Sequence, residues 1–205
     1  IILAAIIIIC ANTFQLYESF GETLRHTAFQ VSSIITTTGF STTDFNLWPQ
    51  LSKTVLVILM FVGACAGSTG GGIKVSRIMI LFKTIGKEIR MLIHPRMIQK
   101  IKQDDHVVSH EVIRSTNVFI AVYSIILFLS VLLISIDNFD FTTNFTAVAA
   151  TLNNIGPGLE LVGPTGNFSI FSAFSKYVLM FDMLAGRLEL FPMLILFHPS
   201  CWKKY

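Results

Sequence analysis

Three stretches of the chain carry no charged side chain: Ile1 to Leu16, Thr54 to Ile73 and Ser115 to Ile136. Each is close to the ~20 apolar residues with which an α-helix crosses ~30 Å of hydrocarbon. A fourth apolar stretch, Tyr177 to Phe197, is interrupted by Asp182, Arg187 and Glu189. The pattern predicts membrane-crossing helices. The first run starts without a Met or a basic flank and is followed by no small-residue cleavage site, so it reads as a cut-off transmembrane helix and not as a signal peptide. Two shorter apolar stretches lie between the long ones, Thr27 to Ile35 and Ala147 to Leu152. Both are too short to span, and both run into a glycine turn: Thr36-Thr37-Thr38-Gly39-Phe40 and Asn153-Asn154-Ile155-Gly156-Pro157-Gly158. A short helix that enters and a glycine-containing segment that returns is a re-entrant loop. Non-helical backbone at membrane depth is tolerated only where protein buries it or a watery cavity receives it.

Composition agrees. Hydrophobic residues make up 53% of the 205 and charged residues 13%, with mean hydropathy +0.68. Soluble domains average about 25% charge, so an ordinary soluble enzyme is excluded. Cys10, Cys65 and Cys201 are too scattered for a metal site or a disulfide framework. The net charge of +3 is too small to suggest nucleic acid, but its distribution is informative. Nine Lys or Arg lie between Lys74 and Arg114, against four acids. The positive-inside rule makes this loop cytoplasmic, together with Lys203 and Lys204 at the C-terminus. Tyr17 to Lys53 and Asp137 to Lys176 then face outward, with Glu18, Glu22, Asp44, Asp137, Asp140 and Glu160 available to concentrate cations at a mouth. The sequons at Asn144 and Asn167 fit that side, though the motif is short and common.

The chain repeats itself in architecture. Thr38-Gly39 aligns with Ile155-Gly156 at an offset of 117, and Ser52-Lys53 with Ser175-Lys176 and Gly63 with Gly186 at an offset of 123. The parsing is 1–82 as one helix–pore loop–helix unit, 83–111 as a basic loop and 112–205 as a second such unit. The chemistry follows. The C-terminal end of a short helix carries roughly half a unit of negative charge. The strand after it presents carbonyl oxygens able to replace the water shell of an alkali cation. Gly39 and Gly156 permit the positive φ such a strand uses.

These residues resemble the TrkH/TrkG/KtrB group of microbial potassium transporters, most closely the TrkH branch. The resemblance is carried by Ile35-Thr36-Thr37-Thr38-Gly39-Phe40, by the run from Gly63 to Lys74, by His94-Pro95, by Asn153 to Gly158 and by Leu184-Ala185-Gly186-Arg187-Leu188-Glu189. It implies an all-α integral membrane fold with four helix–pore loop–helix repeats around a central ion pore. This sequence supplies two, matching the third and fourth. A missing N-terminal half is the expectation, in preference to two half-size chains pairing into a pseudo-fourfold ring.

The resemblance also implies roles. Thr37, Thr38 and Gly39 with Asn154, Ile155 and Gly156 form the filter that holds K+; the plain alternative is a Thr-rich turn and a Pro-Gly turn. Gly67, Gly70, Gly71 and Gly72 with Arg187 form an intramembrane gate below it. Gly67 to Lys74 superficially resembles a phosphate loop, but Ile73 separates Gly72 from the Lys and Val75 follows it, so a nucleotide site is not expected. Close helix packing through small residues is the plain reading of those glycines. For Arg187 it is a structural ion pair with Glu189 or Asp182, a poor geometry on one helix. No enzymatic chemistry and no cofactor is expected, K+ being cargo. The implied partners are membrane lipid, a second copy in a homodimer and a cytoplasmic nucleotide-binding ring of the TrkA type docked on the basic loop, in the inner membrane of a microbe. Two other classes remain open: a sodium-coupled KtrB-like system, and a non-transporting membrane scaffold.

Overall fold

A computed structural model describes residues 1–63, 65, 67–68, 70–94, 101–103, 106–187 and 195. Expectations for Leu188, Glu189, Pro95, Lys203, Lys204 and the end of the fourth apolar stretch lie outside these residues. Seven α-helices are described: α1 (Ile2–Thr13), α2 (Phe20–Ile35), α3 (Gln50–Phe61), α4 (Val75–Ile93), α5 (His110–Ile134), α6 (Phe141–Leu152) and α7 (Ala173–Arg187). Helices α1 and α3 flank α2, and α5 and α7 flank α6. Helix α4 leads out of the first trio and packs on α5.

Helices α2 and α6 start earlier than the apolar runs predict, because both are capped. Ser19 accepts a hydrogen bond from the Glu22 N–H at 3.2 Å, and Asp140 accepts one from the Thr143 N–H at 2.9 Å. A side-chain cap at this position satisfies a donor the first turn leaves orphaned. The Thr143 hydroxyl and N–H hold the Asp140 carboxyl below the usual carboxylate range. A lowered native value means the contribution is complete above the unfolded carboxyl range and is lost as pH falls through the native value. Asp140→Ala is expected to cost about 1 kcal/mol of stability. Asp140→Asn, an equally good cap, is expected to retain the cap but lose its acid sensitivity, read from thermal unfolding of the full-length protein across acidic pH.

The uncharged run Thr54 to Ile73 is not one helix. Helix α3 ends at Phe61, and two short strands, β1 (Val62–Gly63) and β2 (Ile73–Lys74), pair in parallel and pinch off the glycine-rich segment between them. Gly63 is needed here: a Cβ would lie 2.6 Å from the Gly71 carbonyl oxygen. Among the described residues, one helical stretch, 110–137, is long and apolar enough to cross a membrane alone.

Each trio has its own core. Ile9, Val31, Ile34, Phe45, Leu56 and Met60 are buried in the first, and Tyr123, Leu127, Ile134, Val148, Leu152 and Leu179 in the second. The second unit also contributes Ile155 and Leu159 to the first core, so the segment after α6 straps the two together. Outward, Leu3, Ile7, Ile125, Phe128 and Leu132 are exposed, the apolar surface expected of a body facing lipid or further protein.

The acids that follow α1 and α5 in the chain are largely engaged in local structure. Asp44 and Asp140 cap helical turns, Asp137 accepts the Ser172 N–H, and Glu160 pairs with Lys53 at 3.6 Å. Asn144 is only 2% exposed and spends its side-chain N–H on the Phe139 carbonyl, so that sequon is not an accessible glycosylation acceptor.

Candidate functional site

The two glycine turns have the same backbone. After α2, the N–H groups of Thr36, Thr37 and Thr38 return to the carbonyls of Ser32, Ile34 and Ser33. After α6, those of Asn153, Asn154 and Ile155 return to Ala149, Thr151 and Ala150. Every donor and every acceptor is displaced by 117 residues, the offset seen in the sequence. Positive φ falls at matching positions: Thr37 (56°) with Asn154 (55°), and Gly39 (79°) with Gly156 (114°). Thr37 and Asn154 are non-glycine residues in the left-handed region, an uncommon conformation held where surrounding structure enforces it.

This pattern has a chemical consequence. The turns direct their N–H groups back into the helix ends, where orphaned carbonyls accept them. Among the described residues no hydrogen bond ends on a carbonyl of residues 37–39 or 154–156. Those oxygens are left to accept from elsewhere or to solvate a cation. The turns also meet. A Cβ on Gly39 would collide with the Ile155 carbonyl oxygen and crowd Pro157. Thr37, Thr38, Asn154, Ile155 and Gly156 line one cavity of about 730 Å³. They do not lie apart on the periphery. Lys176, which donates to the Ser169 carbonyl, lines the same cavity.

The glycine-rich segment sits directly behind the second turn. A Cβ on Gly71 would strike the Asn153 carbonyl oxygen, and one on Gly72 would come within 2.7 Å of Asn153 Oδ1. Gly70, Gly72, Lys74, Arg77, Tyr123 and Arg187 line a separate cavity of about 160 Å³. Arg187 and the glycines Gly70 and Gly72 thus line one cavity. Among the described residues nothing lies within 4 Å of a Cβ added to Gly67, which differs from them.

Two contacts escaped the sequence reading. Tyr123 on α5 donates its hydroxyl to Asn153 Oδ1 at 2.9 Å, and Asn153 Nδ2 donates to the Ala149 carbonyl at 2.7 Å. Asn153 therefore links α5, the end of α6 and the glycine segment. Tyr123→Phe leaves Asn153 Oδ1 short of its donor in a buried site, at a cost of about 1–3 kcal/mol. The expected readout is a lowered thermal unfolding midpoint of the full-length protein. Beyond the turns, Asn46 accepts the Glu160 N–H and donates to the Glu160 carbonyl, at 2.9 and 3.1 Å, stapling the two segments that follow them. An Asn in a single 3-10 turn at position 46 gives no local signal of a partner 114 residues away.

Comparison with known proteins places this geometry. Residues 4–204 match the model of the TrkH family, described as cation transport protein. The chain is 37% identical over 202 residues to the Trk system potassium uptake protein TrkH of Salmonella typhimurium, covering 97% of this chain and 41% of that protein. To the protein of the same name from Vibrio parahaemolyticus it is 40% identical over 187 residues, 91% of this chain and 37% of the relative. The fold matches the crystal structure of the potassium transporter TrkH from Vibrio parahaemolyticus with a TM-score of 0.87 and 35% identity, over 99% of this chain and 43% of that one. The chain thus spans about two fifths of the length of these relatives. Its helix–pore loop–helix pairs are those of a membrane-integral protein, and the chain belongs to the TrkH family of cation transport proteins.

Proposed function

We propose that the protein containing this chain takes up potassium across the cytoplasmic membrane, and that these two repeats supply half of its pore. Thr37, Thr38, Gly39, Asn154, Ile155 and Gly156 hold the dehydrated ion through their carbonyl oxygens. The ion then meets a gate of the glycine segment, Gly67 with Gly70, Gly71 and Gly72, and of Arg187. The guanidinium sets positive charge in the ion's path and costs ~2.5–3.5 kcal/mol to hold within a membrane unless paired or wet, so its place beside a cavity suits a gate. The remaining repeats come from an N-terminal half of the same protein. The whole forms a homodimer in lipid, with the basic 83–111 segment and the C-terminus inside the cell, and a TrkA-type nucleotide-binding ring docked there.

One observation carries this reading: the two turns repeat one hydrogen-bond pattern at a constant offset and leave unbonded carbonyls beside a shared cavity. The relatives named as potassium uptake proteins supply the ion. Potassium uptake by the full-length protein in proteoliposomes, with sodium in competition, is the test. Potassium-selective flux that needs no sodium is expected. Flux that requires sodium identifies the KtrB-like alternative, and absence of any flux with intact folding identifies a scaffold.

A further inference from the structure

Helix α7 carries a carboxyl group, Asp182, that the pore reading does not use. The residue is 0% exposed within these two repeats alone. Ser130 on α5 donates its hydroxyl to Asp182 Oδ1 at 2.7 Å, while Oδ2 is buried and, among the described residues, has no hydrogen-bond partner. The titratable and charged groups around it are few. Helix α5 brings Tyr123 toward it, and its other titratable residues (His110, Glu111 and Arg114) lie at the far end of that helix. Helix α6 has no charged side chain along its length. On α7 itself, Lys176 donates to the Ser169 carbonyl, Tyr177 is exposed, and Arg187 lines the cavity behind the second turn. None of the ion pairs among the described residues includes Asp182.

An ionised carboxylate in this place is a buried charge with one oxygen unserved. A neutral acid leaves only a hydroxyl to accommodate, which is far less unfavourable in low-dielectric surroundings. We propose that the Ser130–Asp182 pair is an intramembrane proton-binding site, whose neutral form latches α7 to α5. The proton sits on Oδ2, and Ser130 donates to the carbonyl oxygen Oδ1. The latch bears on the second turn through its neighbours on α7. The Met183 carbonyl accepts the Asn154 side chain at 3.1 Å, and Gly186 rests against the Leu152 carbonyl. Loss of the proton weakens the packing of the same stretch of helix that seats Asn154. The site does not depend on which ion the pore passes.

Infrared difference spectroscopy on the full-length protein in lipid nanodiscs at neutral pH tests this. Asp182→Asn is expected to remove one carbonyl-stretch band of a protonated carboxylic acid. Ser130→Ala is expected to move that band to higher frequency, because its carbonyl oxygen loses a donor. Thermal unfolding gives a second readout: the wild-type midpoint falls as pH rises from the unfolded carboxyl range, about 4, until the folded protein also loses the Asp182 proton, and Asp182→Asn lacks that component. Loss of a carboxylate band instead of an acid band in Asp182→Asn overturns the proposal. So does a Ser130→Ala spectrum with no shifted band, which decides the matter alone if Asp182→Asn does not assemble.

Discussion

Gly39→Ala in the full-length protein is expected to lower potassium uptake by roughly tenfold or more and to erode discrimination against sodium. Two costs act together. Gly39 has φ 79°, where an L side chain meets its own backbone at about 1–2 kcal/mol. The new methyl group would also collide with the Ile155 carbonyl oxygen, one of the proposed ion ligands. The strain alone approaches the 1.4 kcal/mol that corresponds to a factor of ten, and the collision displaces a ligand as well. Gly156→Ala separates these effects. Its φ is 114°, but the nearest atom to an added Cβ is the Gly39 Cα at 4.0 Å, so it tests strain without collision. It is expected to impair selectivity less than Gly39→Ala. Competitive uptake of potassium and sodium in proteoliposomes measures both. Wild-type selectivity in Gly39→Ala would remove these turns from the ion path.

Gly186→Ala is expected to be the most damaging single methyl group outside the turns. A Cβ at this position collides with the Leu152 carbonyl oxygen and lies 2.8 Å from Asn154 Nδ2. Helix α7 must then withdraw from α6, whose last turn it covers. Overpacking of this kind typically costs about 1–3 kcal/mol, occasionally more, and here it also breaks the Asn154 bond to the Met183 carbonyl. The expected result is a lower unfolding midpoint together with loss of uptake. Gly86→Ala, on helix α4 with nothing within 4 Å of its added Cβ, is the control and should be neutral or slightly stabilising. Equal behaviour of the two variants would show that α7 and α6 do not pack closely in the assembled protein.

The turns were legible because their signal is local. An apolar stretch too short to span, followed by Gly39 or Gly156, has few foldings available at membrane depth, and the shared offset appears in the hydrogen bonds residue for residue. The start of each short helix was placed too late. Hydrophobicity marks the buried face of α2 and α6, whereas Ser19 and Asp140 set their first turns by capping, a polar signal outside the apolar run. The run Thr54 to Ile73 shows the opposite difficulty. Absence of charge gave it the look of a span, and the glycines and the pairing of Val62–Gly63 with Ile73–Lys74 divide it. Asn144 shows why a surface motif read without burial misleads: the residues of its sequon lie within the first two turns of α6, the most enclosed helix of the described set.

By itself the chain determined the order of long and short apolar helices, the glycine turns, the twofold internal repetition and the separation of basic from acidic segments. All of these are properties of residues close together in sequence, and membrane burial amplifies them because unpaired backbone and charge are so unfavourable there. Only the tertiary structure decided which glycines are required by contact: Gly39 against Ile155, Gly71 against Asn153 and Gly186 against Leu152, but not Gly67. It alone joined Tyr123 to Asn153, Asn46 to Glu160 and Ser130 to Asp182. Such pairs bring together residues 30 to 114 positions apart. Their geometry depends on how whole helices pack, and no local pattern of side chains encodes it.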